Sequence, residues 1–98
     1  MRIQHTVVFS LIHDAGSAEE TAFLDTAEQV LSSIPAVTDF IVCRQVSEKS
    51  YLEWQFSMRF SGLAEYEAYN SAPAHVDFVA THWADEVAAF QEYDFIAR

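Results

Sequence analysis

YLEWQFSMRF, residues 51–60, alternates apolar and polar side chains more cleanly than any other stretch of the chain. Leu52, Trp54, Phe56, Met58 and Phe60 fall on one side of an extended strand, and Tyr51, Glu53, Gln55, Ser57 and Arg59 on the other. A strict period of two is the mark of a strand with one face buried. Immediately before it, Ser47 to Ser50 form a polar turn, and before that Val37 to Val46 is rich in β-formers. That run places Phe40, Val42, Arg44 and Val46 on one face and Val37, Asp39, Ile41 and Cys43 on the other. The two segments are expected to pair as an antiparallel hairpin.

Downstream, Ser61-Gly62 opens a short helix through about Tyr69, and Asn70, Ser71 and Ala72 interrupt it. Pro73 suits the first turn of a new helix, where its missing N–H would have had no intrahelical partner. The new helix carries Val76, Val79, Trp83 and Val87 on one stripe, and a last strand is expected from Phe90 to Ala97. Upstream, Phe23, Leu24, Ala27, Val30, Leu31 and Ile34 recur at helical spacing, and Pro35 ends that helix by disfavouring the helical conformation at the residue before it. Ser17 and Glu20 have the spacing of a capping box after the break at Asp14 to Gly16. Residues 2 to 12 alternate again, with Ile3, His5, Val7, Phe9 and Leu11 on one face.

The order is β-α-β-β-α-α-β, a ferredoxin-like α+β arrangement in one domain spanning residues 1–98, with a four-stranded antiparallel sheet and its helices on one face. The other face then needs cover. Hydrophobic residues are 51% of the 98, with eight Phe, four Tyr and two Trp, more than one layer of helices on a small sheet can hide. Pairing two sheets face to face in a homodimer accommodates the surplus. Five basic against fifteen acidic residues give a net charge of −10. That field repels phosphate backbones and anionic lipid, so nucleic acid and membrane are not expected as partners. Cys43 is the single cysteine and excludes an internal disulfide. The N-terminus lacks the pattern of a signal peptide, and no apolar run approaches the about 18 residues of a membrane span. A cytoplasmic protein is expected.

Three motifs carry a resemblance. The first strand with His5 near its start, IPAV at Ile34 to Val37, and above all PAHVDFV at Pro73 to Val79 resemble the stress-responsive dimeric A/B barrel, or Dabb, domain family over nearly the whole chain. The resemblance implies a ferredoxin-like monomer that pairs into a dimeric α/β barrel. Some members of the family are stress-associated proteins without a known reaction, and a plant branch performs cofactor-independent polyketide cyclisation. That branch uses a tyrosine six residues before the motif histidine, together with a histidine near the start of the first strand. The matching positions here are Tyr69, His75 and His5. One departure is Ala72, where the family's motif commonly has a first histidine.

The chemistry of these residues fits that role. A histidine accepts and returns a proton near neutrality, and a tyrosine hydroxyl stabilises an oxygen gaining charge. An aldol-type ring closure needs both actions. The expected assignment is His75 as general base, Tyr69 as oxyanion partner and His5 as helper, on a small aromatic or polyketide-like carbonyl ligand. Phe23, Leu24, Phe40, Trp54, Phe56 and Met58 are expected to line the apolar pocket. The same residues also suit a plain structure, with His75 satisfying backbone groups at a helix start and the aromatic stripe serving as core. Two other functions stay open: a non-enzymatic ligand-binding or stress-associated dimer, and a cofactorless monooxygenase acting on aromatic or quinol substrates.

No cofactor is expected. Gly16 and Gly62 are the only glycines, so there is no glycine-rich phosphate loop. His75, Val79, His82 and Glu86 share one helical stripe by spacing, but without the short separations of a helical metal pair, and no metal site is expected. Cys43 reads as a small buried apolar residue, with Arg44 directed to the opposite face of its strand.

Overall fold

The computed structural model describes residues 1–98. The chain runs β1 (Ile3–Leu11), α1 (Ala18–Ser32), β2 (Thr38–Arg44), β3 (Trp54–Phe60), α2 (Leu63–Ser71), α3 (Pro73–Phe78), a π-helical turn (Val79–Trp83), α4 (Ala84–Glu86) and β4 (Val87–Ile96). The four strands form one antiparallel sheet in the order β2-β3-β1-β4, which makes the ferredoxin-like α+β fold. The helices cover one face. On that face the apolar positions of β1 and β3 meet α1, α2 and α3, and Phe9, Phe23, Phe56, Phe60 and Met58 are its most deeply buried large side chains. No helix is long and apolar enough to cross a membrane.

The start of α1 is built by its sequence. The Ser17 hydroxyl accepts from the Glu20 N–H at 3.2 Å. Glu20 answers through the N–H of Gly16 at 3.0 Å, one residue earlier than a standard capping box, because the Ser17 N–H is already bonded to the Asp14 carbonyl at 3.1 Å. Gly16 sits at φ +77°, a conformation that favours glycine. The other carboxylate oxygen of Glu20 accepts from the Trp54 indole at 3.3 Å, so a buried glutamate ties the helix start to β3.

Four expectations are corrected. Val37 was placed opposite Phe40 and Val42, yet all three pack against the core. The register between β2 and β3 slips between Thr38 and Ile41, with Asp39 at φ +53°, and the extra residue of this bulge reverses the alternation. Val76 is exposed, and the helical run is anchored instead by Phe78 and Trp83. These lie five residues apart yet both touch Phe23, with ring centroids at 5.7 and 6.4 Å. The π turn makes this possible. Its Ala84 N–H bonds to the Val79 carbonyl five residues back, which widens the turn by one residue. The last strand begins at Val87 rather than Phe90, and β3 begins at Trp54, leaving Tyr51 and Leu52 in the connection.

The sheet face away from the helices has small side chains at its centre, Thr6, Ser10 and Ser57, all buried. Around them Ile41, Tyr93 and Phe95 are each about half exposed. The edge strand β4 is the most open element of the molecule.

Candidate functional site

Strand pairing brings the first and last strands together at His5. In the β1–β4 register His5 stands opposite Asp94, and Val7 opposite Glu92, so these residues share the helix-side face. The His5 Nδ1 lies 2.7 Å from Asp94 Oδ1. A carboxylate only accepts, so Nδ1 carries the proton, and in the neutral ring Nε2 holds the lone pair. Tyr66 of α2 closes the group. Its hydroxyl donates to Asp94, with both carboxylate oxygens at 3.0 Å, and its oxygen lies 2.9 Å from His5 Nδ1. His5 is buried, its Nε2 has no hydrogen-bond partner, and no such atom is sealed from solvent. The Nε2 lone pair therefore opens on the cavity that His5 lines.

Helix α2 places Tyr66 and Tyr69 three residues apart on one side. Phe60 holds both rings, at 4.8 Å from Tyr66 and 5.1 Å from Tyr69. Ala72, extended at φ −60° and ψ 130°, then breaks the helix, and Pro73 starts the next. The sharp turn folds His75 back onto Tyr69, with ring centroids 4.2 Å apart. The His75 Nδ1 donates to the Asn70 carbonyl at 3.2 Å, which again leaves Nε2 as the acceptor. Burial lowers the pKa of His75; the Asn70 bond and Glu92 oppose that shift, and His5 adds to it. Its ring is thus neutral over more of the pH range than an ordinary histidine.

Burial, then the neighbouring Tyr66 and Glu92, push the Tyr69 hydroxyl well above its usual range. Burial, then the Asp94 hydrogen bond and charge and the Glu92 charge, do the same for Tyr66. Both remain phenols and donors at neutral pH. Tyr69 makes no hydrogen bond through its hydroxyl and, by the same reasoning as for His5, presents it to the cavity.

The cavity has a volume of about 420 Å³. Val7, Phe56 and Met58 form its floor, Phe78, Val79 and Trp83 one wall, and β4 the other. All three nominated polar residues, His5, Tyr69 and His75, line it. Of the six apolar residues nominated, Phe56 and Met58 line it and four do not. Phe23 fills the core behind Phe56, nearly parallel to it at 6.3 Å. Phe40 packs on Phe56 from the β2 side at 5.6 Å, and Leu24 packs against the core from α1. Trp54 is held by Glu20 and by the Arg44 guanidinium, 4.7 Å over its ring. The physical reason is where the cavity opens: it faces β4, whereas Phe40 lies on β2, Trp54 at the far end of β3 beside Arg44, and Phe23 and Leu24 on α1 behind Phe56 and the wall residues Phe78 and Trp83.

Tyr66, Asp94, Asn70 and Glu92 were not anticipated. Tyr66 had a signal in its spacing from Tyr69, whereas Asp94 and Glu92 depend on register with a strand at the far end of the chain. The stripe containing His75 and His82 does not persist, because the π turn separates them. His82 and His13 instead share the Glu86 carboxylate, at 3.1 and 2.8 Å. No group of three His, Cys, Asp or Glu side chains is arranged to hold a metal ion.

The family model described as Stress responsive A/B Barrel Domain (Dabb) matches residues 3–97. A Dabb family protein with a ferredoxin-like fold from Mesorhizobium loti is 44% identical, with TM-score 0.98 over 99% of this chain and 97% of that one. A hydroxynitrile lyase from Passiflora edulis superposes with TM-score 0.83 at 8% identity, over 99% and 94% of the two chains. A dimeric ferredoxin-like protein from Thermobifida fusca gives TM-score 0.78 at 15% identity, over 99% and 92%. The last two are likenesses of fold. No curated protein matches the sequence.

Proposed function

Because the chain belongs to the stress responsive A/B barrel domain family, we propose that its cavity binds a small carbonyl compound and moves protons on it without a cofactor. The observation that carries this reading is convergence. Two imidazole lone pairs, on His5 and His75, and one phenol donor, on Tyr69, face a largely apolar cavity with no partners of their own. Few precisely placed polar groups in an apolar pocket are what small-molecule chemistry requires.

His75 Nε2 takes a proton from the carbon beside the carbonyl, and the electron pair moves onto the carbonyl oxygen. The Tyr69 hydroxyl donates a hydrogen bond to that oxygen as it becomes an enolate. In a ring closure the enolate carbon attacks a second carbonyl, forming a C–C bond, and the new alkoxide takes back the proton from the His75 imidazolium. His5, oriented by Asp94 and Tyr66, is a second proton acceptor, reached from β1 on the other side of the Tyr69 ring.

The first half-step can be tested without knowing the natural substrate. In D₂O, the protein is expected to catalyse exchange of the methyl protons of 4′-hydroxyacetophenone, followed by NMR. Tyr69→Phe is expected to slow it by about 10²–10³. Binding of the ketone with no catalysed exchange would leave a ligand-binding protein, and wild-type exchange in Tyr69→Phe would remove the oxyanion role.

The molecule is also proposed to work as a homodimer joined through the open sheet face. Support comes from the half-exposed Ile41, Tyr93 and Phe95 on that face and from the dimeric Thermobifida fusca protein of the same fold. Sedimentation at micromolar concentration is expected to give twice the mass of the 11.1 kDa chain, and a stable monomer would refute the pairing.

A further inference from the structure

The cavity described above is asymmetric in charge, and its asymmetry rests on one side chain that the proposed proton transfers do not use. Glu92 lies on β4 between Phe90 and Asp94, facing the cavity beside Val7. Asp94 is consumed by His5 and Tyr66. The Glu92 carboxylate makes no hydrogen bond or ion pair, and it stands on the cavity wall with its charge uncompensated.

No lysine or arginine lines the cavity. Arg2 is paired with Asp39 at 3.7 Å, and Arg44 lies over Trp54 on the β2 side. Arg59 points to the opposite sheet face, since its strand partner Gln4 does. Lys49 lies in the connection between β2 and β3, and Arg98 ends the chain beyond β4. The two histidines offer an anion nothing either. Each has committed Nδ1–H to a protein acceptor, Asp94 or the Asn70 carbonyl, and as a neutral ring turns a lone pair to the cavity. An anionic ligand would meet two lone pairs and a carboxylate, with only uncharged donors to hold it, the Tyr69 hydroxyl, the Asn70 amide and the Trp83 indole N–H. A neutral ligand suits every one of these groups. Its carbonyl accepts from Tyr69, and a hydroxyl of its own donates to Glu92.

We propose that Glu92 selects ligands of this cavity by charge, admitting uncharged hydroxy-carbonyl compounds and rejecting carboxylates, phosphates and other anions. This rests on the reading of the cavity as a small-molecule site and adds the class of molecule it takes. A cation is disfavoured for a different reason: most of the wall is apolar, and stripping water from an ammonium group there is costly against one partly solvated carboxylate.

A matched set of probes tests it: methyl 4-hydroxybenzoate, 4-hydroxybenzoate and tyramine, neutral, anionic and cationic around the same phenol. By titration calorimetry at low salt, the ester is expected to bind wild type at least about tenfold more tightly than the acid, and more tightly than tyramine. Glu92→Gln removes the charge at an exposed position of an edge strand. It is expected to narrow the ester-to-acid ratio to about threefold or less, and added salt to narrow the wild-type ratio in the same direction. An unchanged ratio in Glu92→Gln overturns the selection by Glu92 while leaving the cavity and its proton chemistry standing. Equal or tighter binding of the acid or of tyramine overturns the class of ligand. Loss of catalysed proton exchange with the binding preference intact would strike the proposed reaction alone.

Discussion

His75→Ala is expected to lower catalysed proton exchange on 4′-hydroxyacetophenone by about 10²–10⁴, the range over which a positioned general base contributes. The substitution removes the acceptor and leaves the Tyr69 hydroxyl in place, so ligand binding should weaken far less than the rate falls. The pH profile separates loss of a base from loss of packing. Burial lowers the pKa of His75, so the neutral ring persists below the ordinary value of about 6.5. The acid limb of the wild-type profile is therefore expected below about pH 6.5, and the residual rate of His75→Ala should lack it. Stability carries the same sign. Between the folded value and about 6.5 the unfolded chain binds the proton more readily, so wild type loses stability as pH falls through that interval, and the alanine variant should lose less. A variant with the full wild-type rate and acid limb would show that another group takes the proton.

Phe9→Ala carries the largest expected effect on stability. Phe9 is 0% exposed, with ring centroids 4.6 Å from Phe56, 5.1 Å from Trp83 and 5.9 Å from Phe23. It joins β1, β3, α1 and the π turn at one point. Removing a buried phenyl group costs about 3–5 kcal/mol, against a total of about 5–15 kcal/mol for a small domain. Urea denaturation at fixed protein concentration should show an unfolding free energy lowered by that amount, read as an earlier midpoint with little change in slope. A loss under about 1 kcal/mol would mean that the four aromatic rings do not share one packed centre.

The order of elements was legible because the local signals agree with the global fold. Strands β1 and β3 keep a period of two, α1 keeps its helical spacing behind a capping serine, and Pro73 stands at a first turn. What could not be read are the places where one residue is inserted. Asp39 takes a left-handed conformation that its identity does not announce, and nothing in Val79 to Trp83 signals a widened turn. The site divides along the same line. His75 and Tyr69 are near in sequence and were nominated with His5 from a motif, whereas the His5–Asp94 pair spans 89 positions and needs the strand register. Four of the six expected lining residues lie outside the cavity for a related reason: periodicity reports which face of β3 is covered, but not over which strands the cover stops.

The π turn has a bearing on how such a cavity can change. It is in effect an α-helix with one residue too many, and shortening it by one would put Phe78 and Trp83 at the four-residue spacing of an ordinary helix, still on the same side. The two anchors on Phe23 would survive while the wall at Val79 drew inwards. The volume of the cavity is therefore written partly in the count of residues between two anchors, and a lineage of related chains can resize it by insertion and deletion without replacing a single side chain that touches the core.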